Sequence, residues 1–226
     1  MTLRSFAPRL RAASLALGLA GLGAGEAAAH PHVFVDARVE VVFDTEGRIS
    51  ALRHVWRFDD AFSAFASQGL DANGDGILSI EELQSLAKVN VDSLKDYDYF
   101  TYLRVAGKRS GFKIPTEYFL QSSDGFLTLF YTLSLMQPVR PDKGGVTIDV
   151  YDPGYFVDYQ LVDENPAKLI DAPATCTFDV KRKADPDAAT AAILGQIPAS
   201  ERELPANLKA MTNTNDMANR VVVKCP

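Results

Sequence analysis

Residues 33–58 read VFVDARVEVVFDTEGRISALRHVWRF, and the pattern within them decides the fold. Val33, Val35, Ala37, Val39 and Val41 alternate with Phe34, Asp36, Arg38 and Glu40, the period of two that marks a strand with one buried face. Asp44, Thr45, Glu46 and Gly47 supply turn residues. The next ten residues place Leu52, His54, Trp56 and Phe58 on one side, so the two runs read as a β-hairpin. A four-residue loop sets Val39 opposite Leu52, Ala37 opposite His54 and Val35 opposite Trp56, gathering the apolar side chains on one face. His54 then faces the core.

Outward from the hairpin, Asp59 or Asp60 caps a helix running to about Gly69, with Ala61, Phe62, Phe65 and Ala66 at helical spacing. A polar loop follows, then a second helix over about residues 80–94. Strand patterns return over 99–105, 112–120, 126–136, 146–151 and 156–161, separated by turn sequences such as 107–111 and 122–125. Residues 175–181 and 221–224 read as further strands, and 186–197 and 201–211 as helical or partly so. The class is α+β: a mainly antiparallel β domain, sandwich or meander, over residues 30–226. A helix–loop–helix is inserted at about 59–94, and a small mixed part ends the chain.

The N-terminus carries Arg4, Arg9 and Arg11, an apolar run over 12–25, and then Ala27, Ala28 and Ala29. That is the layout of a secretory signal peptide, residues 1–29. Cutting after Ala29 puts small residues in both peptidase pockets and makes His30 the first residue of the mature protein, with a cut after Ala27 as the weaker competitor. The apolar run is short for a membrane span, which predicts a soluble, unanchored periplasmic protein. Without Arg4, Arg9, Arg11 and Glu26, 20 basic and 28 acidic residues remain, a net charge of about −8. Such a surface argues against nucleic acid as a partner. Cys176 and Cys225 are the only cysteines, and in an oxidising compartment they predict one disulfide.

The strongest motif is DANGDGILSIEE, residues 71–82, which matches the twelve-residue EF-hand calcium loop position by position. Calcium is a hard cation that takes six to eight oxygens. Asp71, Asn73 and Asp75 supply side-chain oxygens, Gly76 allows the sharp turn, and Ile77 offers its carbonyl. Ser79 acts through a water, and Glu82 closes the shell with both oxygens. The bland alternative is an Asp/Asn/Gly-rich surface turn. Sensor hands come in pairs, so a lone hand reads as a structural clamp of weak, extracellular-type affinity.

Three histidines remain, and imidazole is the commonest ligand for zinc, copper and nickel. With His30 at the mature N-terminus, its α-amine and ring chelate one transition metal with help from His32. Pro31 has no N–H to lose, so amide ligation is ruled out. The alternative is two solvated histidines at a chain end. His54 reads first as a buried, hydrogen-bonded histidine and second as a ligand.

The stretches HPHVFVDARVEVVFD, RHVWRFDDAFSAF, the 71–82 loop, KVNVDSL, YDPGYFVDY and VVVKCP together resemble an uncharacterised family of proteobacterial periplasmic proteins. That family is labelled as the periplasmic component of an ABC-type transport system and is associated with zinc, nickel or cobalt transport genes. The resemblance spans nearly the whole mature chain and implies a metal-transport role beside an inner-membrane transporter. The chain lacks the two-lobed α/β pattern of solute-binding proteins, which favours an accessory. The expected function is therefore a periplasmic accessory that binds calcium and holds or delivers zinc, nickel, cobalt or copper. The alternatives are a copper oxidase with an N-terminal histidine brace and a calcium-stabilised interaction module. No nucleophile elbow or zinc-protease helix motif is present, which argues against a hydrolase.

Overall fold

The alternation in residues 33–58 produces a hairpin at the centre of a six-stranded sheet. The structure is a computed structural model and describes residues 31–142, 144–197, 201, 204 and 218–226. The strands are β1 (Val33–Phe43), β2 (Ile49–Phe58), β3 (Thr101–Val105), β4 (Lys108–Arg109), β5 (Tyr118–Ser123), β6 (Phe126–Val139), β7 (Val146–Val150), β8 (Val157–Leu161), β9 (Ala167–Ile170), β10 (Thr177–Lys181) and β11 (Asn219–Lys224). The helices are α1 (Asp60–Ala66), α2 (Ile80–Leu94) and α3 (Ala188–Leu194), with a 3-10 segment at Lys95–Phe100. The first sheet runs β5-β6-β2-β1-β8, with β9 also on β1, and the second runs β10-β11-β7-β3-β4. Buried residues of both sheets, Trp56 and Leu133 of the first and Leu103, Ile148 and Val221 of the second, share one hydrophobic core. These strand orders are not those of a simple meander, and pairing is mainly antiparallel.

Several expectations need correction. The hairpin pairs Val41 with Leu52, Val39 with His54 and Ala37 with Trp56, two residues from the expected register. The cause is a longer connection, residues 44–48, and a bulge beyond Val42 that opposes Phe43 to Ile49. Asp44 holds this turn: its Oδ1 accepts from the backbone N–H of Glu46 at 3.0 Å and Arg48 at 2.9 Å. A slip of two keeps every side chain on its face, so the buried set is as expected. On the other edge of β1, β8 and β9 pair in tandem and in parallel, an arrangement absent from the antiparallel expectation. The expected strand over 112–120 is interrupted, leaving one bridge at Phe112 and a strand that starts only at Tyr118. Pro115 lies between them and has no N–H for the ladder. The C-terminal strands β10 and β11 belong to the second sheet instead of a separate part. The helix expected over 201–211 lies, apart from Glu201 and Leu204, outside the described residues, as do the leader and His30.

The inserted helices are tied to the sheets by side chains that the sequence places for the purpose. Asp59 caps α1 by accepting from Phe62 N–H at 2.8 Å, and its other oxygen accepts from Phe34 N–H of β1 at 2.7 Å. Ser63, buried on α1, accepts from Leu127 N–H of β6 at 2.9 Å. Helix α2 buries Leu83, Ala87 and Val91, spaced four apart on one face, and packs against β5. The cysteines form a disulfide between residues 176 and 225, one step beyond the paired Thr177 and Lys224. Among the described residues no helix is long and apolar enough to cross a membrane.

Candidate functional site

Residues 67–79 join α1 to α2, and the acidic side chains in this stretch fold back on its own backbone. Asp71 Oδ1 accepts from Gly74 N–H at 2.7 Å and Oδ2 from Gly76 N–H at 2.9 Å. Asn73 Oδ1 accepts from Asp75 N–H at 2.8 Å, and Asp75 Oδ1 from Ile77 N–H at 2.8 Å. Gly76 has φ +79°, a conformation that suits glycine alone at no steric cost. Ser79 caps α2 in a capping box with Glu82. Glu82 also reaches back across the loop to Ala72 N–H at 3.0 Å. The Ser79 backbone N–H and then its hydroxyl hold the Glu82 carboxyl below the usual range. Both ends of the loop thus meet at one carboxylate. Leu78 packs against the core, while Ile77 is exposed. The donor set is all oxygen, which suits calcium. Among the described residues no three His, Cys, Asp or Glu groups converge as a ready metal site, and the loop carboxylates accept from loop amides.

The two described histidines, His32 and His54, are far apart, and His30 lies outside the described residues. His32 donates its backbone N–H to Phe156 O at 2.9 Å, and its ring lies 4.8 Å from that of Phe156. His54 pairs with Val39, seven residues farther along β1 and so roughly 23 Å away at a strand's rise. The two cannot share an ion. His54 is buried beneath Trp56 and Tyr131, with ring centroids at 5.3 and 5.0 Å. Thr101 Oγ1 donates to Tyr99 O at 2.8 Å. It therefore accepts from His54 Nε2–H at 3.3 Å, which fixes the neutral tautomer. Burial pushes the ring's pKa down to about 3. Burial alone sets this shift, and His54 belongs to no group of three metal-ligating side chains among the described residues, the environment of a structural histidine.

A feature that sequence reasoning missed is a cleft of ≈ 660 Å³ between the two sheets, roofed by α1, the end of α2 and the 3-10 segment. Trp56, Phe62, Tyr97, Phe100, Tyr102 and Tyr159 supply its aromatic walls, and Asp96, Asp98 and Asp152 its carboxylates. Asp152 Oδ2 accepts from Phe156 and Val157 N–H at 2.9 and 3.0 Å, so the cleft lip is the segment on which His32 rests. Asp98, Tyr99 and Phe100 are consecutive left-handed residues at φ 54°, 55° and 47°, and Tyr155 has φ 53°. Each costs about 1–3 kcal/mol and persists only where packing enforces it. The buried rings of Tyr99 and Phe100 and the bond from Tyr151 N–H to Phe100 O do so here. The runs DYDYF at 96–100 and YDPGYF at 151–156 carry the signal in their mixture of aromatic and acidic residues.

With these sites in place, comparison with known sequences gives one clear result. The profile of a family described as "Protein of unknown function (DUF1007)" matches residues 15–225. The chain belongs to this family. The match takes in the loop, the cleft and both cysteines of this DUF1007 member. It is also similar to the "Uncharacterized 15.5 kDa protein in trpE 3'region" of Spirochaeta aurantia, at 33% identity over 100 residues, 44% of this chain and 70% of the relative.

Proposed function

We propose that this DUF1007 protein is a metal-handling accessory of the bacterial periplasm. It binds calcium in the EF-hand of residues 71–82 and holds a transition metal at its processed N-terminus for an inner-membrane transporter. The observation that carries the reading is the loop itself. Asp71, Asn73 and Asp75 in the loop after α1, Ser79 at the N-cap of α2 and Glu82 in its first turn stand in EF-hand order, with Glu82 closing the ring onto Ala72. Those side chains and the Ile77 carbonyl would hold the ion, which supplies the positive charge that Asp71, Asp75 and Glu82 lack. A lone hand with α2 seated on β5 is a clamp. Fixing α2 also fixes the 3-10 segment that follows it and roofs the cleft.

The transition-metal part of the reading rests on His30 and His32 in sequence and on the family resemblance. His32 sits at the start of β1, anchored by its backbone to Phe156. A first-residue His30 adds an amine and a ring beside it. The amine has an ordinary pKa of about 7.7–8.0 and imidazole about 6.5, so both must lose protons to bind and affinity falls steeply below neutral pH. Zinc, nickel, cobalt or copper titrated into protein processed by its own leader should bind at one equivalent. One Ala added before His30 moves the amine away and should weaken binding about ten-fold or more, the usual effect of losing a metal partner. His32→Ala should weaken it independently. Unchanged affinity in both variants sinks the brace, and uptake of calcium alone leaves a calcium-stabilised interaction module.

A further inference from the structure

The cleft is not needed by either metal site, and no residue of the 71–82 loop lines it. Its chemistry is of a different kind. We propose that the cleft binds a small organic cation, an alkylammonium compound with an apolar or aromatic body.

Size comes first. A volume of ≈ 660 Å³ lies within the range of small-molecule sites, about 300–1,000 Å³. The aromatic walls form a continuous series. Tyr97 stacks on Phe100 at 5.2 Å, Phe100 meets Tyr159 at 5.5 Å, and Tyr159 meets Trp56 at 4.7 Å. Ring faces attract cations through their quadrupoles, more strongly when water is excluded. The charged groups on the lining are all carboxylates: Asp96, Asp98 and Asp152, with no Lys or Arg among the described lining residues. A metal ion is disfavoured, because the walls are mostly apolar and no three ligating groups converge among the described residues.

One edge of the cleft already shows this preference. Arg109, from the neighbouring strand β4, places its guanidinium 4.7 Å over the Tyr102 ring and 2.9 Å from Asp98. The protein thus uses an aromatic face and a carboxylate together to hold a cation of its own. Asp96, Tyr97 and Phe100 line the same cleft, with Asp96 exposed and Tyr97 half-exposed. An anion would meet a lining whose charged groups are carboxylates, of which Asp98 is balanced by Arg109, and a net negative protein, and a neutral compound would leave the ring faces unused.

Trp56 lines the cleft but is fully buried, so occupancy is read by isothermal calorimetry. Phenyltrimethylammonium is the probe, tert-butylbenzene its neutral isostere and phenylacetate the anion. All are titrated into the mature protein at fixed millimolar calcium. The cation should produce a saturable change in heat, with affinity about ten-fold above the isostere, as one desolvated cation–π contact gives. Phenylacetate should produce none. Tyr97 is half-exposed and Asp96 exposed, so Tyr97→Ala and Asp96→Asn leave the core intact, and each should weaken the cation several-fold. Absence of a saturable change with the cation overturns the proposal. So does equal binding of tert-butylbenzene or phenylacetate, or unchanged affinity in both variants.

Discussion

Replacing both Cys176 and Cys225 with Ser lowers the unfolding free energy by about 4 kcal/mol. The two positions are 49 residues apart, and closing a loop of that length removes roughly this much entropy from the unfolded chain. The location makes the loss cooperative. Strand β11 lies between β10 and β7 in the second sheet, and Val221 and Val223 on it are fully buried. The bridge stands at the open end of the β10–β11 ladder, where Thr177 pairs with Lys224. Urea unfolding of the oxidised protein and the double Ser variant, compared at equal m-values, measures the difference. A change below about 1 kcal/mol would mean that the unfolded chain is already restrained without the bridge.

Acid destabilises the protein through His54. The ring titrates near 6.5 when unfolded and at about 3 when folded, with burial as the cause. Between those values the unfolded state binds the extra proton, so stability falls as pH drops through 6.5 and levels off near 3. Each pH unit in that window costs up to ~1.4 kcal/mol, of order 5 kcal/mol across it. The groups facing the ring are Thr101, Trp56 and Tyr131, none of which offers a negative charge to an imidazolium. His54→Leu removes the titrating ring and keeps an apolar side chain, and Thr101 retains Tyr99 O as its acceptor. Denaturation of wild type and variant at pH 7 and pH 4.5 isolates the effect. Wild type should lose about 2–3 kcal/mol more than the variant, and parallel losses would show that other groups control the acid limb.

The sequence announces some of this structure clearly. The alternation through Val33, Val35, Ala37, Val39 and Val41 sets the bounds of β1 and the face that it buries. The Ser79 and Glu82 pair, followed by Leu83, Ala87 and Val91, sets those of α2. What it hides depends on tertiary context. The bulge beyond Val42 changes the hairpin register without changing which residues are apolar, so periodicity is blind to it. Strand β9 has four residues and is defined by the edge of β1 that it joins. The left-handed turn at Asp98, Tyr99 and Phe100 contains no Gly or Asn to announce it, and the cleft beneath it is assembled from both sheets. For the sites, Cys176 and Cys225 were legible as a pair because they are the only two. His54 was legible as a core residue from its place among Leu52, Trp56 and Phe58. The helix–loop–helix around 71–82 was legible because its turn and capping residues are contiguous, while its calcium site remains a proposal. The cleft is assembled from distant stretches.

The proposed calcium site is most directly tested by isothermal calorimetry of calcium into metal-free mature protein, beside Glu82→Gln and Asp71→Ala. The account predicts one site per chain, with affinity in the range of extracellular modules, about 10⁻⁴–10⁻³ M. Heat should be sharply reduced in Glu82→Gln and lost in Asp71→Ala, and the thermal transition should rise with calcium only where the heat is seen. No uptake at millimolar calcium, or uptake that survives Asp71→Ala, would contradict it.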